Sequence, residues 1–223
     1  MSLQKIINIA ETLQIDRRRV VSVQYTRSEI AKTAETPTRN PWKFALSLTA
    51  VLPYDSSRTI LETIDTLDRT TPEVISFDAA SGASPGLDWM FKYQGAYSKN
   101  QLSSITVVSF VGNQLVLGNL PVGLPGDLLF QTGDLIQIKD YPYPFTVRNT
   151  VTRNNNATVT VTTHRPNFIS ANLVGKGLNV GNACLFRMFC PNMPTYKLSP
   201  GGKNAIITWS NDFQLYEYTG DVQ

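Results

Sequence analysis

Trp42-Lys43-Phe44-Ala45-Leu46-Ser47-Leu48-Thr49-Ala50-Val51-Leu52-Pro53, continued through Tyr54 to Phe77, is the stretch that decides the fold. Large apolar residues fall at Trp42, Phe44, Leu46 and Leu48, and Lys43, Ser47 and Thr49 take the alternate places. That period of two predicts a strand with one buried face. Pro53 removes a ladder donor and ends it. Asp55, Ser56 and Ser57 offer N-cap oxygens, and Ile60, Leu61, Ile64 and Leu67 have the spacing of a helix stripe over about three turns. Arg69-Thr70-Thr71-Pro72 stops the helix, and Val74-Ile75-Ser76-Phe77 returns as a strand. A strand–helix–strand unit of this kind lays its helix on one face of a sheet.

The remainder of the chain supports a mainly β protein. Its 223 residues suffice for a real core. With 17% charged residues and a net charge of +3, it advertises no strong field for nucleic acid. No run of about 18 apolar residues exists to span a membrane. Met1 to Glu11 is too polar for a signal-peptide core, so production in a cytoplasm is expected. Cys184 and Cys190, the only cysteines, would lie roughly 20 Å apart on one strand. They read as two buried free thiols in a reducing compartment.

Toward the N-terminus, Leu3, Ile6, Ile7, Ala10 and Leu13 have helical spacing, with Ser2 as N-cap. So short a helix must dock on its own domain or on a neighbour. Arg17-Arg18-Arg19 reads as a solvated bend rather than a phosphate patch. Val21, Val23 and Tyr25 begin a strand. Ser28 to Pro41, with almost no apolar residue beyond Ile30, reads as a long loop between two long strands that pair antiparallel. After Phe77 a turn cluster, Asp78 to Gly86, opens a region of short strands: Ile105–Val111 and Gln114–Leu117 around Gly112-Asn113, then Leu135–Ile138, Phe145–Val147 and Thr158–Thr163. Residues 79–182 are therefore expected to form an inserted β-barrel or sandwich domain. Segments at Cys184–Phe189, Tyr196–Leu198, Ala205–Trp209 and Phe213–Tyr218 return to the first sheet, making 1–78 and 183–223 one discontinuous domain.

No catalytic, cofactor or metal site is expected. His164 is the one histidine, with no nucleophile motif beside it. The His and Cys residues are too few for a metal, and phosphate-cradling glycine patterns are absent.

Several segments resemble virion tail proteins of tailed bacteriophages. They are Phe130-Gln-Thr-Gly-Asp-Leu-Ile-Gln-Ile138, Tyr143-Pro-Phe-Thr-Val147, Thr158-Val-Thr-Val161 leading into Arg165-Pro166, Asn192-Met-Pro-Thr-Tyr-Lys-Leu198, and Trp209-Ser-Asn-Asp-Phe-Gln-Leu-Tyr-Glu217. The resemblance, to distal-tail, baseplate-hub and minor tail proteins, covers 125–218; residues 20–77 share only the pattern. It implies a tail-tube-like fold of two packed antiparallel sheets with one flanking helix, to which 79–182 is added. It also implies a closed ring, commonly hexameric, joining the tail tube to other baseplate and hub proteins in the virion. Phage DNA would pass through such a ring without sequence-specific binding. Candidate subunit and ring contacts are Leu3, Ile6, Ile7 and Leu13 of the helix, with Ile30, Arg39 and Trp42 in and beside the loop. Two other readings stand beside this one. One is a carbohydrate- or single-strand-binding module using Trp89, Phe91, Tyr93, Tyr141 and Tyr143; the other is a tail-associated hydrolase.

Overall fold

A computed structural model describes residues 3–17, 21–25, 31–35, 40–48, 52–69, 71–168, 172–202 and 205–220, with backbone only for 21–25 and 31–35. Strands hold 37% of the chain and helices 19%, which makes the protein mainly β, built from several antiparallel sheets and a half-barrel.

The chain opens with helix α1 (Leu3–Asn8), strand β1 (Ala10–Asp16), the strands β2 (Val21–Tyr25) and β3 (Ala31–Glu35), then β4 (Lys43–Leu48), β5 (Leu52–Pro53), helix α2 (Tyr54–Asp65) and β6 (Glu73–Ser76). Trp42, Phe44, Leu46 and Leu48 are all buried, and Lys43, Ala45 and Ser47 are half-buried, as the alternation requires. Leu52, expected in the same strand, belongs elsewhere, however. β4 ends at Leu48, and Leu52–Pro53 pairs with a different sheet. Helix α2 also starts earlier, at Tyr54, with Pro53 as an N-cap that supplies no side-chain bond. A fixed proline φ suits that entry point, so the expected Asp55, Ser56 and Ser57 caps lie inside the first turn. Leu61 and Ile64 form its buried stripe.

After β6 come helices α3 (Pro85–Met90) and α4 (Lys99–Leu102), then β7 (Thr106–Val111), β8 (Gln114–Gly118), β9 (Leu128–Phe130), β10 (Leu135–Ile138), β11 (Phe145–Thr146), β12 (Val151–Thr152), β13 (Val159–Thr162) and β14 (Leu178–Val180). The closing strands are β15 (Leu185–Phe189), β16 (Tyr196–Ser199), β17 (Ile206–Trp209) and β18 (Phe213–Glu217).

The principal sheet has the order β1-β4-β18-β15-β6, and β16-β17-β5 forms a second, smaller one. Buried residues fall into two clusters. One joins α1, α2 and the principal sheet, and it takes in Ala83, Leu87 and Phe91. The second lies wholly between Tyr97 and Val180. There the sheets β13-β8-β7 and β11-β10-β14 are stitched together by the single bridges Val147↔Thr163 and Thr106↔Gly177, wrapping strands around the core as a partial barrel. The β7–β8 hairpin turns at Gly112, whose φ of +55° lies in the left-handed region.

Two expectations fail at the N-terminal ribbon. The terminal helix stops at Asn8, and Ala10 onward is a strand paired with β4. Ala10 and Leu13, three apart, fit the helical period, and on the strand they share a face only through the bulge between Ala10 and Thr12; the ladder offered by β4 outweighs a marginal helix. Ser28–Pro41 is also no structureless loop, because β3 lies within it and pairs with β2, Val21↔Glu35 through Tyr25↔Ala31. The strand from Val21 therefore pairs with β3 and not with β4. Ala31-Lys-Thr-Ala-Glu35 carries no apolar alternation, since β2 and β3 form a two-stranded sheet by themselves.

Candidate functional site

Two polar devices fix the 79–182 segment against the principal sheet. The first is a buried arginine. Arg165, just beyond β13, is fully buried with Glu217 at the end of β18. Its Nη2 donates to Glu217 Oε1 at 2.7 Å and to the Pro144 carbonyl at 2.8 Å. Nη1 donates to Glu217 Oε2 at 2.5 Å and to the Asn40 carbonyl at 3.1 Å. Glu217 Oε2 also accepts the Trp42 backbone N–H, and Trp42 Nε1 donates to the Pro144 carbonyl. The guanidinium lies 5.1 to 5.8 Å from the rings of Phe168, Phe145 and Tyr143. A planar, permanently charged fork suits this bidentate, ring-flanked place, which lysine could not fill.

The second device is a glutamine that imitates a strand. Ser76 and Leu185 stand opposite each other in the β6–β15 ladder. Gln137, in the middle of β10, accepts from Leu185 N at 2.8 Å and donates to Leu185 O at 2.9 Å. On the other side, Gln4 of α1 accepts from Ser76 N and donates to Ser76 O, both at 2.9 Å. Each carboxamide thus supplies the acceptor and donor of a missing backbone neighbour. Gln4 satisfies the outer rim of β6; Gln137 ties the partial barrel to β15.

His164 lies beside these groups, its ring 5.4 Å from Trp42. Nδ1 accepts the Thr146 N–H at 2.9 Å, which places the neutral ring's proton on Nε2. That buried N–H has no hydrogen-bond partner among the described residues. Burial, with Arg165, Arg17 and Arg148 nearby, pushes the imidazole down to about 2. It is therefore held neutral in the folded chain. Among the described residues no cluster of three or more His, Cys, Asp or Glu side chains could hold a metal ion. Cys184 and Cys190 are free and buried, and desolvation pushes both thiols upward, Cys190 to about 11. Reactivity needs the thiolate, so both are inert packing residues at neutral pH.

The expected contact residues separate on inspection. Leu3, Ile6 and Ile7 are buried in the chain's own principal core, with α1 against α2 and β6. Contrary to expectation, these three side chains face the chain's own core and present no surface to a neighbour: each gains about 2 kcal/mol from burial, which would be lost if the helix undocked. Trp42 is 1% exposed, held within the Arg165 assembly. Leu13 is half-buried on β1 and packs on the same core. Ile30 and Arg39 lie outside the described residues. Of the aromatic set, Phe91, Tyr141 and Tyr143 are core residues, and the half-buried Tyr93 donates its hydroxyl to Leu129 O. Trp89 stands exposed without the others, so the set forms no stacking platform.

Sequence reasoning missed Arg165, Glu217, Gln4 and Gln137. Arg165 and Glu217 meet across 52 positions, and neither carries a local signal. Gln137 carried one, a lone amide inside the fully buried run Leu135-Ile136-Gln137-Ile138. A buried polar residue in a strand interior demands partners.

What remains open is the rim at β1. Cavities of about 280 Å³ on each side of Met90 and Phe91 run along the seam beside it. A wider cleft of about 570 Å³ lies over the opposite face, between Val74, Leu185, Arg187 and the Lys139–Pro142 turn. Among the described residues no helix is long and apolar enough to cross a membrane. No protein-family model matches the chain, and no curated protein matches it either.

Proposed function

We propose that this chain is a structural protein of a bacteriophage tail. In this reading it forms a ring at the distal tail or baseplate hub, joining the tail tube to baseplate proteins around the DNA channel. The observation that carries the reading is the unequal finish of the principal sheet. One rim, β6, is covered by α1 through Gln4, and the other, β1, has no strand paired on its outer side among the described residues. Next in the chain come β2 and β3, which among the described residues pair only with each other. A two-stranded hairpin is marginally stable in water by itself, and a bare rim invites pairing. Two different unfinished features on one chain suit head-to-tail association, which closes as a ring. The tail-tube-like arrangement is part of this reading, as is the resemblance across 125–218.

Native mass spectrometry of the purified chain, with and without tail-tube protein, tests it. A ring, or a monomer that becomes a ring on the tube, is expected. Replacing residues 21–35 by a short turn should abolish the ring while leaving the monomer folded. A ring unaffected by that deletion, or a chain that stays monomeric with tube protein present, would overturn the proposal.

A further inference from the structure

The most exposed large apolar side chain among the described residues is Val122, 94% exposed, and Leu124, 73% exposed, stands two residues on. Both sit on the β8–β9 connection, Pro121-Val122-Gly123-Leu124-Pro125-Gly126, and that connection is braced. Arg153 grips both ends: its Nε donates to the Pro121 carbonyl at 3.2 Å, and its own carbonyl accepts the Gly126 N–H at 2.8 Å. Asp127 Oδ2 accepts the Leu124 N–H at 2.8 Å, and a Cβ at Gly123 would collide with the buried Tyr97. Two prolines restrict the backbone further. The loop therefore holds two aliphatic side chains out in water, with little backbone freedom left to lose on binding.

Elsewhere on the surface the β6–β15 ladder has an uncovered outer face. Val74 stands opposite Arg187 and Leu185 opposite Ser76, so Val74, Leu185 and Arg187 share the side away from Ile75 and Phe186, which enter the core. Val74 and Leu185 are both exposed, and with Lys139 and Pro142 of the neighbouring turn they line the cleft of about 570 Å³. Loop and cleft share no strand or turn, and the loop is tied at both ends, so a chain cannot fill its own cleft. Their charges are opposite. Lys139 borders the cleft, and the adjacent Asp140 is engaged by Lys176 at 2.7 Å. Asp127, at the foot of the loop, gives Oδ2 to Leu124 N–H and the Tyr97 hydroxyl and keeps Oδ1 for another group. Neither Lys139 nor Asp127 forms an ion pair among the described residues.

We propose that Val122 and Leu124 of one copy of this chain seat in the Val74–Leu185 cleft of a second copy, with Asp127 of the first meeting Lys139 of the second. Burial of the two aliphatics drives the contact, and the charge pair fixes its orientation. The two surfaces are different, so the contact is heterologous and repeats from copy to copy. No residue of β1, β2 or β3 takes part, so the rim contact described above and this one can form together. The inference deepens the ring reading by naming a second contact between neighbours, and it rests on that reading only in requiring that copies associate.

The test uses the full chain carrying Leu124→Cys and Val74→Cys, treated with a short bis-maleimide; Cys184 and Cys190 are buried and stay silent. A ladder of linked dimers, trimers and higher forms is expected on a denaturing gel, because each copy carries both knob and cleft. Val111→Cys in place of Leu124→Cys, also exposed but on the β7–β8 hairpin, should leave the ladder absent. In sedimentation velocity, Leu124→Asp and Leu185→Asp should each weaken self-association at least about tenfold, the loss of one buried aliphatic side chain. Their urea midpoints should stay those of the parent. A ring in native mass spectra without the ladder overturns this inference and spares the ring. A ladder that runs on without closing supports it and overturns the ring, and a monomer with no ladder overturns both. If tube protein alone shields the thiol at position 74 from alkylation, the cleft belongs to the tube and the inference falls.

Discussion

The two rims of the principal sheet receive opposite treatment. At β6 the chain closes itself: Leu3, Ile6 and Ile7 seat a short helix, and the Gln4 carboxamide stands in for the neighbour that Ser76 lacks. At β1 nothing comparable is present among the described residues, and Ile15, Met90 and Trp89 stay exposed, Ile15 and Met90 beside Arg17. The difference separates what holds the subunit together from what it offers to others. Substitutions on the closed side should register as lost stability. Those on the open side should register as lost association, at little cost to folding.

The largest effect is expected where closure is deepest. Arg165→Met leaves the Glu217 carboxylate buried without its partner, and such a loss costs about 3–5 kcal/mol. Adding Glu217→Gln removes the stranded charge but keeps an acceptor for the Trp42 N–H, and should restore at least about 2 kcal/mol. Urea unfolding of the single and double variants measures both. A single variant within about 1 kcal/mol of the parent would show that the arginine is dispensable to the closed side.

His164 gives the closed side a pH dependence. Its folded value lies near 2, against 6.5 for the free side chain. Between those limits the unfolded chain takes up a proton that the folded chain refuses. Stability from this group is therefore full above about pH 6.5 and declines as pH falls toward 2, by up to roughly 1.4 kcal/mol per pH unit. His164→Asn, whose Oδ1 can replace Nδ1 as the acceptor for Thr146 N–H, should flatten that part of the profile. An unchanged acid limb in the variant would assign the slope to carboxylates instead.

The contrast between rims also explains what could be read from residues alone. Trp42, Phe44, Leu46 and Leu48 announce their strand because alternation is enforced wherever one face is buried. The β7–β8 hairpin is legible for the same reason, with Gly112 supplying the turn. β3 was illegible because Ala31-Lys-Thr-Ala-Glu35 belongs to a sheet of two strands, where no packing writes a period into the sequence. α1 was half legible. Leu3, Ile6 and Ile7 mark it, yet Ala10 and Leu13 extend the helical spacing into a strand. Of the seam, only Gln137 announced itself. The Arg165–Glu217 pair is a long-range meeting whose members look like any arginine before a proline and any glutamate between tyrosines.

The sharpest test sets one residue from each rim side by side. Gln4→Leu keeps the helix apolar but deprives Ser76 of both the acceptor and the donor it uses, and Ser76 is buried. Leaving such groups unmet costs about 1–3 kcal/mol. Ile15→Lys lies on the open rim, where a lysine head reaches water and its stem covers the same surface. It should change stability by no more than about 0.5 kcal/mol. Lysine on an edge strand is also a common device against pairing with another chain, so this substitution should abolish whatever joins β1. Urea midpoints and native mass spectra of the two variants give the four readings needed. If Ile15→Lys unfolds the chain as readily as Gln4→Leu, then β1 is a structural rim like β6, and the distinction between the two fails.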